Sequence, residues 1–130
     1  MKKKKFAIIL LMLIPSLIFI TSCSSVTRGI MSSTTNYERV FNACIESASE
    51  VKFRVYDSNM EAGFIYAVYP VTLGGMVQMN INVTRTAGEI KVAVAVALPP
   101  DVVGSSKSAV NDFAKALKKI IPDVKVESIE

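Results

Sequence analysis

Residues 76–85 read Met76-Val77-Gln78-Met79-Asn80-Ile81-Asn82-Val83-Thr84-Arg85. From Val77 to Thr84 apolar and polar residues alternate without a break: Val77, Met79, Ile81 and Val83 fall on one side, Gln78, Asn80, Asn82 and Thr84 on the other. A period of two over that length is a β-strand with one buried face and one face toward water. A helix, with its period of 3.6, would scatter the four apolar residues over two opposite sides. Thr86-Ala87-Gly88-Glu89 then reads as a hairpin loop. Residues 90–98 alternate again, with Ile90, Val92, Val94, Val96 and Leu98 facing one way and Lys91, Ala93, Ala95 and Ala97 the other.

Upstream, residues 64–69 are apolar on both faces and end at Pro70, with Gly74-Gly75 marking a turn. Residues 52–56 set Phe53 and Val55 against Lys52, Arg54 and Tyr56, and Asp57-Ser58-Asn59 and Ala62-Gly63 are turn signals. Four consecutive antiparallel strands are therefore expected. A helix precedes them. Thr35 with Glu38 fits a capping box, and Tyr37, Val40, Phe41, Cys44, Ala48 and Val51 lie on one helical stripe. A second helix follows at about residues 108–121, after a loop with Gly104, Ser105 and Ser106. Its stripe is Val110, Phe113, Leu117 and Ile120, and Pro122 stops it. Lys115, Lys118 and Lys119 occupy its second half, where cations suit the helix dipole.

The expected fold is α+β. It is a two-layer sandwich of a four-stranded antiparallel meander with two helices on one face (α-β-β-β-β-α), and Val124 and Val126 are available for a short final strand. Two helices on one sheet face bury both helical stripes at once. If they cover the Val and Ile side, then Gln78, Asn80, Asn82 and Thr84 stand open beside Ala93, Ala95 and Ala97, joined by either Phe64, Tyr66 and Val68 or Ile65, Ala67 and Tyr69. The alternative puts the helices on the alanine side, where small residues allow close approach. An open face of amides, alanines and tyrosines is an ordinary wet sheet or a partner face, and low charge with Tyr enrichment marks interface cores. A bare edge at residues 92–96 would invite aggregation, so it is expected to be covered, by the Val124–Val126 segment or by a partner chain.

The amino-terminal part has a different character. Lys2, Lys3, Lys4 and Lys5 precede an apolar run at residues 6–20 that contains Pro15. This is the pattern of a secretory signal peptide. As a helix of about 1.5 Å per residue the run falls short of the roughly 30 Å hydrocarbon core. Ile20-Thr21-Ser22-Cys23 resembles the lipobox of bacterial lipoproteins, with Ile20 where Leu is most usual. The resemblance implies cleavage between Ser22 and Cys23, removal of residues 1–22, a diacylglyceryl group on the Cys23 sulfur and acylation of the new amino terminus. Ser24 rather than Asp after the cysteine implies the periplasmic face of the outer membrane in a Gram-negative cell, or the outer leaflet of the plasma membrane in a Gram-positive one. Two or more acyl chains hold a protein stably in a bilayer. Residues 23–35 are then expected to be the lipidated cysteine and a flexible Ser/Thr-rich tether spanning roughly 20 Å, and residues 36–130 a single domain. Residues 37–67, a capped helix running into two strands around Asp57 and Gly63, resemble the small α+β domains of Gram-negative envelope lipoproteins, such as the helix-grip domains of BamC. That resemblance implies a fold and no chemistry.

Chemistry is sparse. The chain has no His and no Trp, which removes the His-dependent nucleophilic and zinc mechanisms. No Walker loop, GxSxG, HExxH or CxxC pair occurs, and Gly74-Gly75 leads into no phosphate-cradling helix. No metal site and no cofactor is expected. Asp57 and Glu61 read as turn residues before paired acid/base carboxylates, and the triplet Asn82-Val83-Thr84 is a chance match to a glycosylation site. With Cys23 consumed by lipid, Cys44 has no partner in its own chain. It reads as a small buried residue on the helix core face before a reactive thiol or an intermolecular bridge. Four of the fifteen basic residues leave with the signal peptide, and the remaining eleven equal the eleven acidic ones. The +4 charge is thus an export signal and no sign of nucleic acid.

The expected function is a non-catalytic, lipid-anchored structural or protein-interaction module on the periplasmic side of the outer membrane. Cys23 holds it to the membrane, and Gln78, Asn80, Asn82 and Thr84 present it to an envelope protein or a second copy. The alternative is a binding module for a small apolar or lipid ligand held between helices and sheet.

Overall fold

A computed structural model describes residues 25–71, 75–99 and 104–130. Ser22, Cys23 and the expected signal segment, residues 1–22, lie outside the described residues, as does Gly74 of the expected glycine turn. The elements in chain order are β1 (Ser25–Ser33), α1 (Tyr37–Glu50), β2 (Arg54–Asn59), β3 (Phe64–Pro70), β4 (Met76–Thr86), β5 (Glu89–Leu98), α2 (Ser106–Ile120) and β6 (Lys125–Ile129). The fold is α+β, one antiparallel sheet of six strands with two helices. The strand order is β2-β3-β4-β5-β1-β6, so the meander β2 to β5 is as expected and two further strands extend it.

The expected tether is not a tether. Ser25–Ser33 forms β1, inserted between β5 and β6, with Ser25 opposite Leu98 and Ser33 opposite Ile90. This corrects the expected edge as well. The stretch Val92 to Val96 is covered, but by β1, while β6 pairs on the far side of β1. The sheet therefore has its most apolar strand in the middle, where both rows of backbone groups are satisfied.

The helices lie on the Val and Ile side, which excludes the alanine-side packing. Val40, Cys44 and Ala48 of α1 and Val110, Phe113 and Leu117 of α2 are fully buried against Ile65, Met79, Ile81, Val94 and Val96. At about 25 cal/mol per Å² this apolar burial is the main force holding the two layers together. The cap of α1 is Asn36, whose side chain accepts from the Arg39 N–H at 2.9 Å, and not Thr35. Ser105 caps α2 in the same way through the Ser108 N–H, which starts that helix before Ser108. Both caps satisfy a backbone donor that a first turn otherwise leaves open.

Strand β2 begins later than the alternation predicts. Phe53 is buried ahead of it, a register shift falls between Val55 and Asp57, and Asp57, Ser58 and Asn59 lie in the strand rather than in a turn. The turn sits at Met60 to Gly63. Gly63 has φ +71, and a Cβ there would overlap the Val83 carbonyl, so only glycine fits. Its carbonyl accepts from the Val83 N–H at 2.8 Å, tying the β2–β3 turn to β4.

Candidate functional site: the open face of the sheet

Register places the sequence-predicted face residues together. Gln78 is opposite Ala97, Asn80 opposite Ala95, Asn82 opposite Ala93 and Thr84 opposite Lys91. On the other side of β4 the same row continues to Val68, Tyr66 and Phe64. These residues share the face that the helices leave open. Gln78, Asn82 and Thr84 are exposed and Asn80 is half-buried. The set that joins them is therefore half-buried Phe64 and Tyr66, with Val68 buried in the same row, while Ile65 and Ala67 point into the core. Tyr56, at the β2 irregularity, stands edge-on to Tyr66 with ring centroids 6.3 Å apart.

Strand β1 adds residues that the tether reading hid. Val26 pairs with Ala97, Arg28 with Ala95 and Ile30 with Ala93, and all three β1 residues are exposed. The face thus runs from an aromatic margin through a row of amides and a row of alanines to two exposed aliphatic residues. Charge enters it at Arg28, between those two aliphatic residues, and at Lys91 at one end of the alanine row. Lys91 donates to Glu127 of β6 at 2.8 Å, which lowers the Glu127 pKa and raises that of Lys91. Ordinary water-facing sheets carry Lys, Glu and Arg through their centre. The β4 and β5 rows of this one carry Asn, Gln and Ala, with Arg28 beside them on β1, a composition that is cheap to dehydrate at the alanines and directional at the amides.

The opposite pole of the molecule holds a second polar arrangement that the sequence did not announce. The Asp123 carboxylate accepts from the Thr34 hydroxyl at 2.6 Å, the Ser33 hydroxyl at 2.8 Å, the Thr34 N–H at 2.8 Å and the Thr35 hydroxyl at 2.9 Å. These donors, the Thr34 hydroxyl first, hold its pKa well below the usual carboxylate range. The group staples the end of β1 to the α2–β6 turn and is saturated with donors, which is a structural role. A lone Asp between Pro122 and Val124 carries no sequence signal for it.

The other candidates are not brought together into chemistry. Asp57 and Glu61 are both exposed, one in β2 and one in the following turn. Cys44 is buried, and burial pushes its thiol up to about 12, so the inert reading applies. Lys119 reaches Glu50 of α1 at 3.3 Å. Asn82 and Thr84 of the glycosylation triplet lie inside β4. Surface depressions of about 490 and 610 Å³ lie along the outer side of α1 and beside the β4–β5 turn, where Arg85 stacks on Tyr37 at 4.0 Å. The layer between helices and sheet is filled by side chains. Among the described residues no group of three or more His, Cys, Asp or Glu is placed to hold a metal. No helix among them is long and apolar enough to cross a membrane.

Compared with known protein families and with curated proteins, the chain matches none. Among solved structures it is similar to one described as the crystal structure of Ara h 8.0201, with a TM-score of 0.44 and 9% identity over 76% of this chain and 99% of that one. It is also similar to a conserved protein from Geobacillus kaustophilus, with a TM-score of 0.42 and 12% identity over 80% of this chain and 100% of that one. Neither likeness bears on function.

Proposed function

We propose that this protein is a bacterial lipoprotein, cleaved before Cys23 and acylated there, that works without catalysis as an interaction module on the periplasmic face of the outer membrane. Its partner surface is the open face of the sheet, and the partner is another envelope protein. The observation that carries this reading is the row of Gln78, Asn80, Asn82 and Thr84 lying in register beside Ala93, Ala95 and Ala97, with the exposed Val26 and Ile30 behind them. Alanines let a partner approach the backbone closely, and the amides supply hydrogen bonds that fix its register.

The test is site-specific photo-crosslinking in intact cells, with the probe in place of Asn82 on the sheet or of Lys118 on the exposed side of α2. Adducts are expected from position 82 and not from 118; equal adducts from both would refute the face. Asn80→Lys with Asn82→Lys should abolish capture; Asn82 is exposed and Asn80 half-buried, so the pair should cost about 1 kcal/mol and leave the protein folded. Adducts of twice the chain mass would make the partner a second copy. Metabolic palmitate labelling should vanish in Cys23→Ala, and labelling that persists would disprove the anchor.

A further inference from the structure

We propose that the end of the domain where β1 begins is seated on the bilayer, so that the strands stand away from the membrane and the open face looks sideways along it. This rests on the lipid anchor at Cys23 and adds an orientation to it. Only Ser24 separates Cys23 from Ser25, the first residue of β1. Two residue steps span at most about 7 Å, and the headgroup layer is itself roughly 6 Å deep on each side of the hydrocarbon core. A domain whose second mature residue would already be a flexible linker could float; a domain whose sheet starts two residues from the lipid is held at the headgroups.

The residues at that end fit a lipid surface. Register puts Ser25 opposite Leu98, Gln78 opposite Ala97, and Pro70 opposite Met76, so the start of β1, the end of β5, the start of β4 and the end of β3 share one end of the sheet. Three of the large exposed apolar side chains gather there: Val26 (42% exposed), Tyr69 (41%) and Met76 (49%). Strand spacing spreads them over about 15 Å. Tyrosine with an aliphatic neighbour is the pairing that favours the membrane–water boundary. Arg54, the first residue of β2, is exposed at this end. So is Lys107, in the first turn of α2. A cation at a helix N-terminus works against the dipole, so Lys107 weakens its own helix while suiting anionic headgroups. The opposite end is more polar, with Glu61 in one turn, Gly88 in another, Glu89 at the start of β5 and the Asp123 staple, and with Val126 of β6 as its exposed apolar side chain. Nine residues of β1 hold that end roughly 30 Å out.

The experiment uses the acylated mature protein in vesicles of phosphatidylethanolamine and phosphatidylglycerol. A fluorescent probe is attached at Met76→Cys or, at the far end, at Glu61→Cys; both positions are exposed, and Cys44 is buried out of reach of the reagent. Lipids carrying a nitroxide near the headgroup act as quencher. The seated orientation predicts quenching several-fold stronger at position 76 than at 61. Equal quenching at the two positions, in protein that floats with the vesicles, overturns the orientation and leaves the anchor standing. Protein that fails to float with the vesicles overturns both.

Discussion

Strands β4 and β1 lie on either side of β5 and contact the same helical layer, yet their residues are distributed in opposite ways. β4 turns Val77, Met79, Ile81 and Val83 inward and polar residues outward. β1 turns Thr27, Gly29, Met31 and Ser33 inward and Val26 and Ile30 outward. The reason is what lies above each strand. Over β4 there is room, and large side chains fill it. Over β1, α2 comes so close that a Cβ on Gly29 would sit 2.7 Å from Val110 Cγ1. Thr27 and Ser25 meet the Ser106 hydroxyl at 2.6 and 3.1 Å, and Ser33 donates to Asp123. Among the described residues no buried side-chain polar atom lacks a partner, so the polar interior of β1 carries no desolvation penalty left unmet. β4 is held by volume along its whole length; β1 buries one large side chain, Met31, and is otherwise held by close approach and hydrogen bonds.

The contrast can be broken from the β4 side by removing volume. Ile81→Ala deletes a fully buried side chain and should cost about 3 kcal/mol, read as a lower urea midpoint; a loss under about 1 kcal/mol would mean the layer can collapse onto β1-like spacing. From the β1 side it breaks by adding volume. Gly29→Ala should cost about 2 kcal/mol by overpacking against Val110. Combined with Val110→Ala it should cost less than the two single changes together, a coupling of about 1 kcal/mol in a double-mutant cycle. Additive losses would show that Gly29 is not under α2.

The smallest effect sharpens the comparison through pH. Asp123 is exposed, so the net worth of its four donors is about 1 kcal/mol at neutral pH. Its folded pKa is depressed below the ordinary 3.8. The carboxylate therefore stabilises the fold above that ordinary value, and the contribution is lost as pH falls below it toward the folded pKa. Asp123→Ala should lower the thermal midpoint at pH 7, and the gap to the parent should narrow in acid. A gap that stays constant down to pH 2 would assign the loss to something other than the charge.

How far the sequence could be read follows from the same contrast. Residues 76–98 declare two strands and a turn because their interior is apolar and their exterior is not, and the amide row on the open face could be named before any coordinates. The two helices were legible from their stripes, though Asn36 rather than Thr35 caps the first. β1 was not legible. Its period of two is present, but Met31 is its one large inward residue beside Thr27, Gly29 and Ser33, and Val26 and Ile30 point outward, which looks like a Ser/Thr-rich linker to any rule that equates inside with apolar. Missing β1 also hid Val26, Arg28 and Ile30 from the candidate face and led to the wrong cover for β5. Asp57 to Asn59 misled for a related reason, since turn-forming residues are tolerated where β2 is an exposed edge strand.

The place of β1 in the sheet also sets a timetable. It is the first strand among the described residues, but its contacts are with the last third: Thr27 and Ser106 are 79 residues apart, and Ser33 and Asp123 are 90. Closing such long loops is slow, whereas β2 to β5 are neighbours joined by short turns and pair early. A chain emerging amino end first therefore carries β1 unpaired until β5 has appeared, and unlocked until α2 and β6 follow. Until then β1 waits as an unpaired amino-terminal segment, and the six-stranded sheet closes last at the strand that was made first among those described.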